Sequence, residues 1–210
     1  MAKVILLNGS PHPHGCTMTA LEEMMNVFKE ENIETELIHI GNKAVRGCIS
    51  CGGCSKLGKC VFDDDPVNEV AEKFESADGL VVGSPVYYGS PNGTVLAFMD
   101  RLFYSTSYSK HMKVGAAVVS CRRGGNTASF DVLNKYFTIS AMPVASSTYW
   151  NQVHGHTAED VKKDLEGLQT MRNLARNMAF MIRAFALAKE AEGYPLMERD
   201  VFTSFPDGKS

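Results

Sequence analysis

Four of the six cysteines in the chain fall within one short stretch, CISCGGCSKLGKC. They are Cys48, Cys51, Cys54 and Cys60, and the first three are separated by two residues each. Compact C-x2-C-x2-C runs hold one face of an iron–sulfur cluster, while a further cysteine comes from elsewhere. The glycines between the cysteines allow the backbone to bend around such a group. The stretch is therefore a candidate [4Fe-4S] site with all four cysteines as ligands.

Two other chemistries are open for the same cysteines. Zinc is the first, although structural zinc sites more often use two separated pairs of ligands, and this chain lacks that pattern. The second is a set of reduced thiols that oxidise in pairs without any metal. The spacing alone does not decide between a cluster, zinc and free thiols.

The composition is that of an ordinary globular protein. The chain has 210 residues, of which 44% are hydrophobic and 21% charged, and this is enough to bury a core in one domain spanning residues 1–210. The net charge of -3 argues against a nucleic-acid partner, since such proteins carry a basic surplus. No apolar run approaches the ~20 residues that cross a bilayer, and no signal-peptide pattern is visible. We therefore expect a cytoplasmic protein with no membrane partner.

Apolar runs typical of buried strands alternate with amphipathic segments along the chain. This alternation predicts an α/β fold, a doubly wound parallel sheet between two layers of helices. The predicted strands are 3–8, 34–40, 79–83, 114–120 and 144–148, and the predicted helices are 17–31, 65–76, 92–103, 127–139 and a long helical region at 157–191, in one piece or in two.

Three of the loops that follow strands are rich in Gly, Ser and Pro, at residues 8–17, 84–92 and 120–126. Ligands of open parallel sheets bind beyond the carboxyl ends of the strands, so these loops are expected to converge on one site. The first, NGSPHPHGCT, offers the hydroxyls of Ser10 and Thr17 and the amides of a helix start, which suit a phosphate. The alternative is that either hydroxyl only caps the helix.

The other two loops suit a planar ring. GSPVYYGSPNG has a backbone restricted by proline and places Tyr87 and Tyr88 beside it. SCRRGGN allows close backbone approach at Gly124 and Gly125 and carries positive charge, although it is also typical of a solvated turn. None of the loops has the GxGxxG or GxxxxGK[ST] pattern of dinucleotide or phosphate loops, and no cysteine has an arginine six positions later, as a cysteine phosphatase requires.

Together these motifs resemble the NADPH-dependent FMN reductase family. The resemblance rests on NGSPHPHGCT, on GSPVYYGSPNG followed by TVLAFMDRLFY, and on the third loop, and it covers roughly residues 4–154. The cysteine stretch after the second strand resembles the iron–sulfur flavoprotein subgroup. The resemblance implies a flavodoxin-like three-layer sandwich with a five-stranded parallel sheet in the order 2-1-3-4-5.

The resemblance also implies non-covalent FMN, with NAD(P)H as co-substrate. His12 stands where the family often has Arg, and Cys16 where it often has Asn, so a phosphate contact from either side chain is weakened. No catalytic side chain is expected, because the flavin carries the chemistry. The residues assigned to FMN are Ser10, His12, Cys16, Thr17, Ser84, Pro85, Val86, Tyr87, Tyr88, Ser120, Arg122, Gly124 and Gly125.

Two functions follow from the resemblance. The first is an FMN-dependent NAD(P)H oxidoreductase that reduces flavin, quinone or another small acceptor. The second is an iron–sulfur flavoprotein that passes single electrons to a redox protein. A flavin-binding sensor without turnover is a third, non-enzymatic alternative. A flavin at a strand edge needs a wall on its open side, so we expect a homodimer or homotetramer, with the tail at 193–210 in its contacts and the cysteine loop on the same sheet edge as the FMN.

Overall fold

The computed structural model describes residues 1–201 of the chain. Its strands are β1 (Lys3–Asn8), β2 (Glu34–His39), β3 (Gly79–Tyr87), β4 (Ser90–Pro91), β5 (Val114–Cys121) and β6 (Gln152–His154). Its helices are α1 (Cys16–Glu30), α2 (Cys54–Leu57), α3 (Val67–Ser76), α4 (Gly93–Ser105), α5 (Asn126–Ile139), α6 (Ala158–Val161) and α7 (Leu165–Glu192). The predicted alternation of strands and helices is confirmed.

Five strands pair in parallel, in the order β2-β1-β3-β5-β6. A sixth strand, β4, was not predicted; it pairs antiparallel with the end of β3. Counted along the chain, the parallel strands keep the predicted order 2-1-3-4-5. The arrangement is flavodoxin-like, and its strand order reverses between β1 and β3, the switch point beside which such sheets bind ligands.

The sheet lies between two helical layers, and alternate residues of each strand point into opposite layers. In β1, Val4 and Leu6 pack in the core that includes α1 and α7. Ile5 and Leu7 pack in the other core, with α3, α4 and α5. The side chains of all four residues are completely buried. Burial on both faces explains why the strands read as continuous apolar runs rather than as alternating ones.

The position predicted for the fifth strand, 144–148, is wrong. Val144 makes only an isolated bridge with Gly115, and the chain then leaves the sheet. Ser147 Oγ donates to the carbonyl of Tyr149 at 2.6 Å and contacts Asn151 Oδ1 at 2.7 Å. Such local bonds compete with strand pairing. The parallel strand at this edge is instead β6, and its shift moves the loop that follows it.

The helical region predicted at 157–191 is divided into two helices, one of the two alternatives that the sequence left open. Thr157 and Asp160 form a capping box at the start of α6, and Asp164 caps α7 through the amide of Gly167. α7 buries one face and leaves Phe180 and Leu187 exposed on the other. Within residues 1–201, no helix is both long enough and apolar enough to cross a membrane.

Candidate functional site

The first and second predicted loops are tied together at the carboxyl edge of the sheet. The amide of Gly9 donates to the carbonyl of Gly83 at 2.8 Å, and Asn92 Nδ2 donates to the carbonyl of Gly9 at 2.8 Å. Asn92 also donates its backbone amide to Ser84 Oγ at 3.0 Å, and its side chain caps α4. The loops therefore form one connected backbone unit across the switch point.

A cavity of about 400 Å³ opens above this edge. The predicted site residues that line it are Ser10, His12, Cys16, Thr17, Pro85, Val86, Tyr87, Ser120 and Arg122. Five further residues line it that the sequence reasoning did not assign: Gly15, Cys121, Gly155, His156 and Thr157. The three loops predicted to converge do so, and a fourth loop, after β6, completes the wall.

Four predicted FMN residues do not line the cavity. Ser84 is completely buried, and its hydroxyl serves Asn92 and the carbonyl of Pro85. Tyr88 is fully exposed, with φ at +50°. No atom lies within 4 Å of a Cβ placed on Gly124. Gly125 has φ at +88°, and a Cβ there would lie 2.9 Å from Val86 Cγ1. Glycine at this position therefore allows close packing against Val86, which lines the cavity.

The start of α1 forms the end of the cavity that suits a phosphate. Its N-cap is Gly15, no side chain caps it, and its first turn has no acidic residue. The interpretation of Ser10 or Thr17 as helix caps is therefore wrong. Thr17 Oγ1 instead bonds Ser120 Oγ at 2.8 Å, and Ser10 Oγ accepts from the amide of His12 at 3.1 Å. An uncapped helix start with free amides and nearby hydroxyls fits a phosphate group such as that of FMN.

Two thiols border this cavity, and both are held neutral. Burial raises the pKa of the Cys16 thiol, whose Sγ donates to the carbonyl of Gly155 at 3.6 Å. Burial likewise raises the pKa of Cys121, whose Sγ lies 3.5 Å from His154 Nδ1. A neutral thiol is a poor nucleophile. Both cysteines are small side chains in the wall of the cavity.

The loop of Gly155–Thr157 was missed because the fifth strand was placed too early. One signal in the sequence points to it: Thr157 followed by Asp160 is a capping pattern of the S/T-x-x-D/E kind, which marks a helix start just after a strand. A Cβ on Gly155 would lie 2.8 Å from the backbone nitrogen of Val161, so this turn needs glycine.

The four clustered cysteines line one small cavity of their own. Cys48 and Cys51 are exposed, Cys54 is half-buried and Cys60 is buried. Gly52 and Gly58 take positive φ angles of +70° and +68°, so the loop turns sharply on both sides of α2. The remaining lining comes from other residues of the same loop and from the end of α4, which contributes Arg101, Tyr104 and Ser105.

Arg101 fixes one side of the cysteine cavity. Its side chain is 1% exposed, and it forms a buried ion pair with Asp65. Its Nε donates to Cys60 Sγ at 3.2 Å, and Nη2 donates to the carbonyl of Phe62 at 3.1 Å. Asn68 also holds Cys60, accepting from its amide and donating to its carbonyl, both at 3.0 Å. Cys60 is thus rigidly placed, and the guanidinium puts positive charge beside its sulfur.

The cysteine cavity offers the type and number of donors that an iron–sulfur cluster takes, four thiols. All four cysteines face one space, and the hydroxyl oxygen of Ser105, which also lines it, is buried without a hydrogen-bond partner. Buried polar atoms are rarely left unpaired, so a group that accepts a hydrogen bond is expected nearby. In residues 1–201, no three His, Cys, Asp or Glu side chains converge as for a single metal ion. The case for a cluster therefore rests on the type and number of the donors and not on their arrangement in this structure.

The two cavities lie toward opposite ends of α4 and share no lining residue. Asn92, which caps α4, is bonded to the loops below the first cavity, whereas Arg101 and Tyr104 border the second. The span from Gly93 to Arg101 is about 12 Å at a rise of 1.5 Å per residue. The cysteine loop leaves β2 at the carboxyl end of that strand, and its cavity borders a later part of α4 than the FMN cavity does; that the loop shares the sheet edge with the FMN site stays a prediction.

Comparisons with known proteins agree with this geometry. The sequence model described as NADPH-dependent FMN reductase matches residues 2–157. The chain is 35% identical over 189 residues to the iron-sulfur flavoprotein MJ1083 of Methanocaldococcus jannaschii, covering 86% of this chain and 97% of that protein. It is 31% identical over 180 residues to an iron-sulfur flavoprotein of Methanosarcina thermophila, covering 84% and 93%.

Among solved structures, RosB with bound 8-demethyl-8-formylriboflavin-5'-phosphate superposes with a TM-score of 0.71 at 15% identity, covering 98% of this chain and 93% of that one. That likeness shows the fold. The family match over most of the chain and the two relatives above 30% identity show the kinship. The chain belongs to the NADPH-dependent FMN reductase family.

Proposed function

We propose that the protein is an FMN-dependent NAD(P)H oxidoreductase that reduces flavin, quinone or another small acceptor. The observation that carries the proposal is the cavity at the carboxyl edge of the sheet, where an uncapped helix start lies at one end and a strand extension with Tyr87 at the other. Family membership supports the same cofactor.

The residues of the cavity divide the work of binding. The first amides of α1, with Ser10 and Thr17, would hold the phosphate, and the helix dipole favours its negative charge. The backbone from Pro85 to Tyr87 would lie along the ring, with Arg122 on the far side. When bound, FMN supplies hydride acceptance and one- or two-electron release. The protein's contribution is position and exclusion of water.

A second function is favoured by the cysteine cavity. We propose that Cys48, Cys51, Cys54 and Cys60 hold a [4Fe-4S] cluster and that the protein transfers single electrons to a redox protein, as an iron–sulfur flavoprotein. Four thiols around one space, the unpaired Ser105 hydroxyl and the names of the two relatives support this. The Arg101 bond to Cys60 would raise the potential of such a cluster, since positive charge and hydrogen bonds at the sulfurs stabilise its reduced form.

Anaerobic purification with iron, sulfide and flavin quantitation tests both functions. The first predicts bound FMN and NAD(P)H oxidation with a small acceptor, with or without iron. The second predicts about four iron and four sulfide per chain. Protein that binds no FMN after reconstitution would overturn the first function. Protein that loads FMN but takes up no iron or sulfide under reducing conditions would overturn the second.

We further propose a cytoplasmic homodimer or homotetramer. Tyr88, beside the FMN cavity, and Phe180 and Leu187 on α7 are large exposed apolar side chains. Burying them against a second copy would cover the open cavity and shorten the path between an FMN and a cysteine cluster on different subunits. The described part of the tail folds back on its own chain, where Tyr194 packs on His111; the rest of the predicted tail contact, 202–210, lies outside the described residues. A monomer by light scattering with FMN bound would overturn this proposal.

A further inference from the structure

A cavity at the end of α4 has no part in the functions proposed above. Its volume is about 680 Å³, within the range of small-molecule sites. It lies at the carboxyl end of α4, and its walls come from α4, the loop before β5, the end of α5 and the tail segment with Met197 and Arg199. It shares Cys48 and Tyr104 with the cysteine cavity and no residue with the FMN cavity.

The walls of this cavity are aromatic. Phe103, Tyr104, Tyr108 and Tyr136 all line it. Phe103 packs against Tyr136 with ring centroids 5.6 Å apart and ring planes inclined by 56°. Aromatic walls of this kind suit a planar, aromatic ligand, which gains both area burial and favourable ring contacts.

A buried lysine faces the same space. Lys110 is only 7% exposed, and its Nζ forms no ion pair or hydrogen bond within residues 1–201. Its Nζ lies 4.8 Å from the ring centre of Tyr108 and 5.7 Å from that of Phe103. These rings offset part of the cost of burying the ammonium. Burial is also the main cause that lowers the pKa of Lys110 to about 8, with the charges of Arg199 and Lys113 adding to it.

Among residues 1–201, the charge that lines the cavity is positive near Lys110. Lys110 and Arg199 both line it. The carboxylate in the lining, Asp100, accepts a hydrogen bond from the Tyr136 hydroxyl and lies beyond ion-pair distance of Lys110. Within residues 1–201 no carboxylate pairs with Lys110, and burial of most of the lysine side chain makes a counter-charge near its ammonium favourable. An anionic group on a ligand would supply that charge.

From these contacts we propose that the cavity binds a planar aromatic molecule that carries an anionic group, with the anion paired to Lys110 and the rings held between Tyr104, Phe103 and Tyr136. The site is separate from the FMN cavity and stands whether or not the cysteines hold a cluster. Where a cluster is present, a ligand of this class would lie directly beside it.

Anthraquinone-2-sulfonate is a suitable probe, and its uncharged analogue 2-(hydroxymethyl)anthraquinone isolates the charge. Binding is measured by titration calorimetry on full-length protein loaded with one FMN per chain, with flavin fluorescence recorded to detect displacement of FMN. Wild-type protein is expected to bind the sulfonate without releasing flavin.

Three variants locate the site. Lys110→Met keeps the apolar stem but removes the charge, and it should weaken sulfonate binding about tenfold or more while leaving the neutral analogue unchanged. Ser140→Trp narrows the cavity and should weaken both compounds. Lys135→Met removes an exposed lysine of α5 that does not line the cavity, and it should change neither.

The proposal is overturned if wild-type protein binds no sulfonate, if binding releases FMN, or if Lys110→Met binds it as tightly as wild type. It is also overturned if Ser140→Trp leaves both affinities unchanged, since the ligand would then lie elsewhere. If Lys110→Met unfolds, Ser140→Trp and the preference of wild-type protein for the charged compound still decide the matter.

Discussion

The FMN cavity and the cysteine cavity are held in different ways. The FMN cavity is built on backbone: strand ends bonded to one another through Gly9, Gly83 and Asn92, with side chains adding short links such as Thr17 to Ser120. The cysteine cavity lies in a loop between β2 and α3, and its one buried cysteine, Cys60, is held by hydrogen bonds from Arg101 and with Asn68. The first site can lose one side chain and keep its shape, whereas the second depends on two buried side chains, Arg101 and Asn68.

That difference has a functional meaning. The hydrogen-bonded backbone at the sheet edge gives a cofactor a rigid binding surface, since the edge is continuous with the core. A loop that wraps around a cluster becomes rigid when the cluster binds, because metal binding and local folding are coupled. The two sites should therefore respond independently to mutation, and four predictions test this from the largest effect to the smallest.

Replacing Arg101 with Met should have the largest effect. It leaves Asp65 buried without its partner, and breaking a buried ion pair costs roughly 3–5 kcal/mol. It also removes the hydrogen bond to Cys60. We expect a lower melting temperature and loss of iron after reconstitution, while the FMN content of the folded fraction stays near wild type.

The control for that variant is Arg46→Met, at a neighbouring arginine whose guanidinium lies 4.0 Å over the ring of Phe62. Such a partly exposed contact contributes about 0.5–1 kcal/mol, so iron and stability should change little. Equal iron loss in both variants would show that the loop does not depend on Arg101 in particular.

Gly41→Ala should have the opposite selectivity: it should disrupt the FMN cavity and leave the cysteine cavity intact. A Cβ at this position would overlap the backbone carbonyls of Ser10 and Gly9, which cannot move without opening the first loop. Forced overlap of this kind costs about 1–3 kcal/mol. Equilibrium dialysis should show FMN binding weakened by more than tenfold, with iron content unchanged.

Gly93→Ala is the matched control, because a Cβ there meets no atom within 4 Å and lies in the first turn of α4. FMN binding and stability should equal or slightly exceed those of wild type, since alanine favours a helix over glycine. Normal FMN affinity in Gly41→Ala would contradict the view that the backbone of the first loop is a rigid part of the FMN cavity.

Thr17→Val tests a side-chain link within the same cavity. It removes the bond to Ser120 and the hydroxyl proposed to meet the phosphate. A hydrogen bond to a charged group contributes roughly 1.5–3 kcal/mol, so FMN affinity should fall about tenfold while the fold stays intact. Thr19→Val, whose hydroxyl bonds only to the carbonyl of Gly15, is the control and should bind FMN normally. Equal affinities in the two variants would remove Thr17 from the site.

The sequence predicts the sheet edge far better than it predicts the cysteine cavity. Strand ends are marked locally, by apolar runs that stop at Gly, Ser and Pro, so three of the four loops of the FMN cavity were found. The fourth depends on where β6 lies, and the local bonds of Ser147 hide that. Arg101 reads as one charge on an amphipathic helix, because its partners Cys60 and Asp65 are distant in sequence.

The smallest effect concerns the two groups of thiols. Cys16 and Cys121 have pKa values raised above the ordinary thiol value by burial, whereas Cys48 and Cys51 are exposed. Because the thiolate is the reactive form, iodoacetamide at pH 8 should label Cys16 and Cys121 several-fold more slowly than Cys51 in metal-free protein. Peptide mass spectrometry over time measures each rate.

The raised thiol pKa values also predict how labelling and stability change with pH. A raised pKa keeps the folded thiol neutral at a pH where the unfolded thiol has begun to ionise. The stabilising contribution is therefore complete below the unfolded pKa and is lost as pH rises toward the folded one. Raising the pH from 8 to 9.5 should speed labelling of Cys16 and lower the melting temperature slightly.

FMN should slow labelling of Cys16 but not of Cys51, since Cys16 lines the FMN cavity and Cys51 does not. Protection of both cysteines by FMN would mean that the two cavities are coupled.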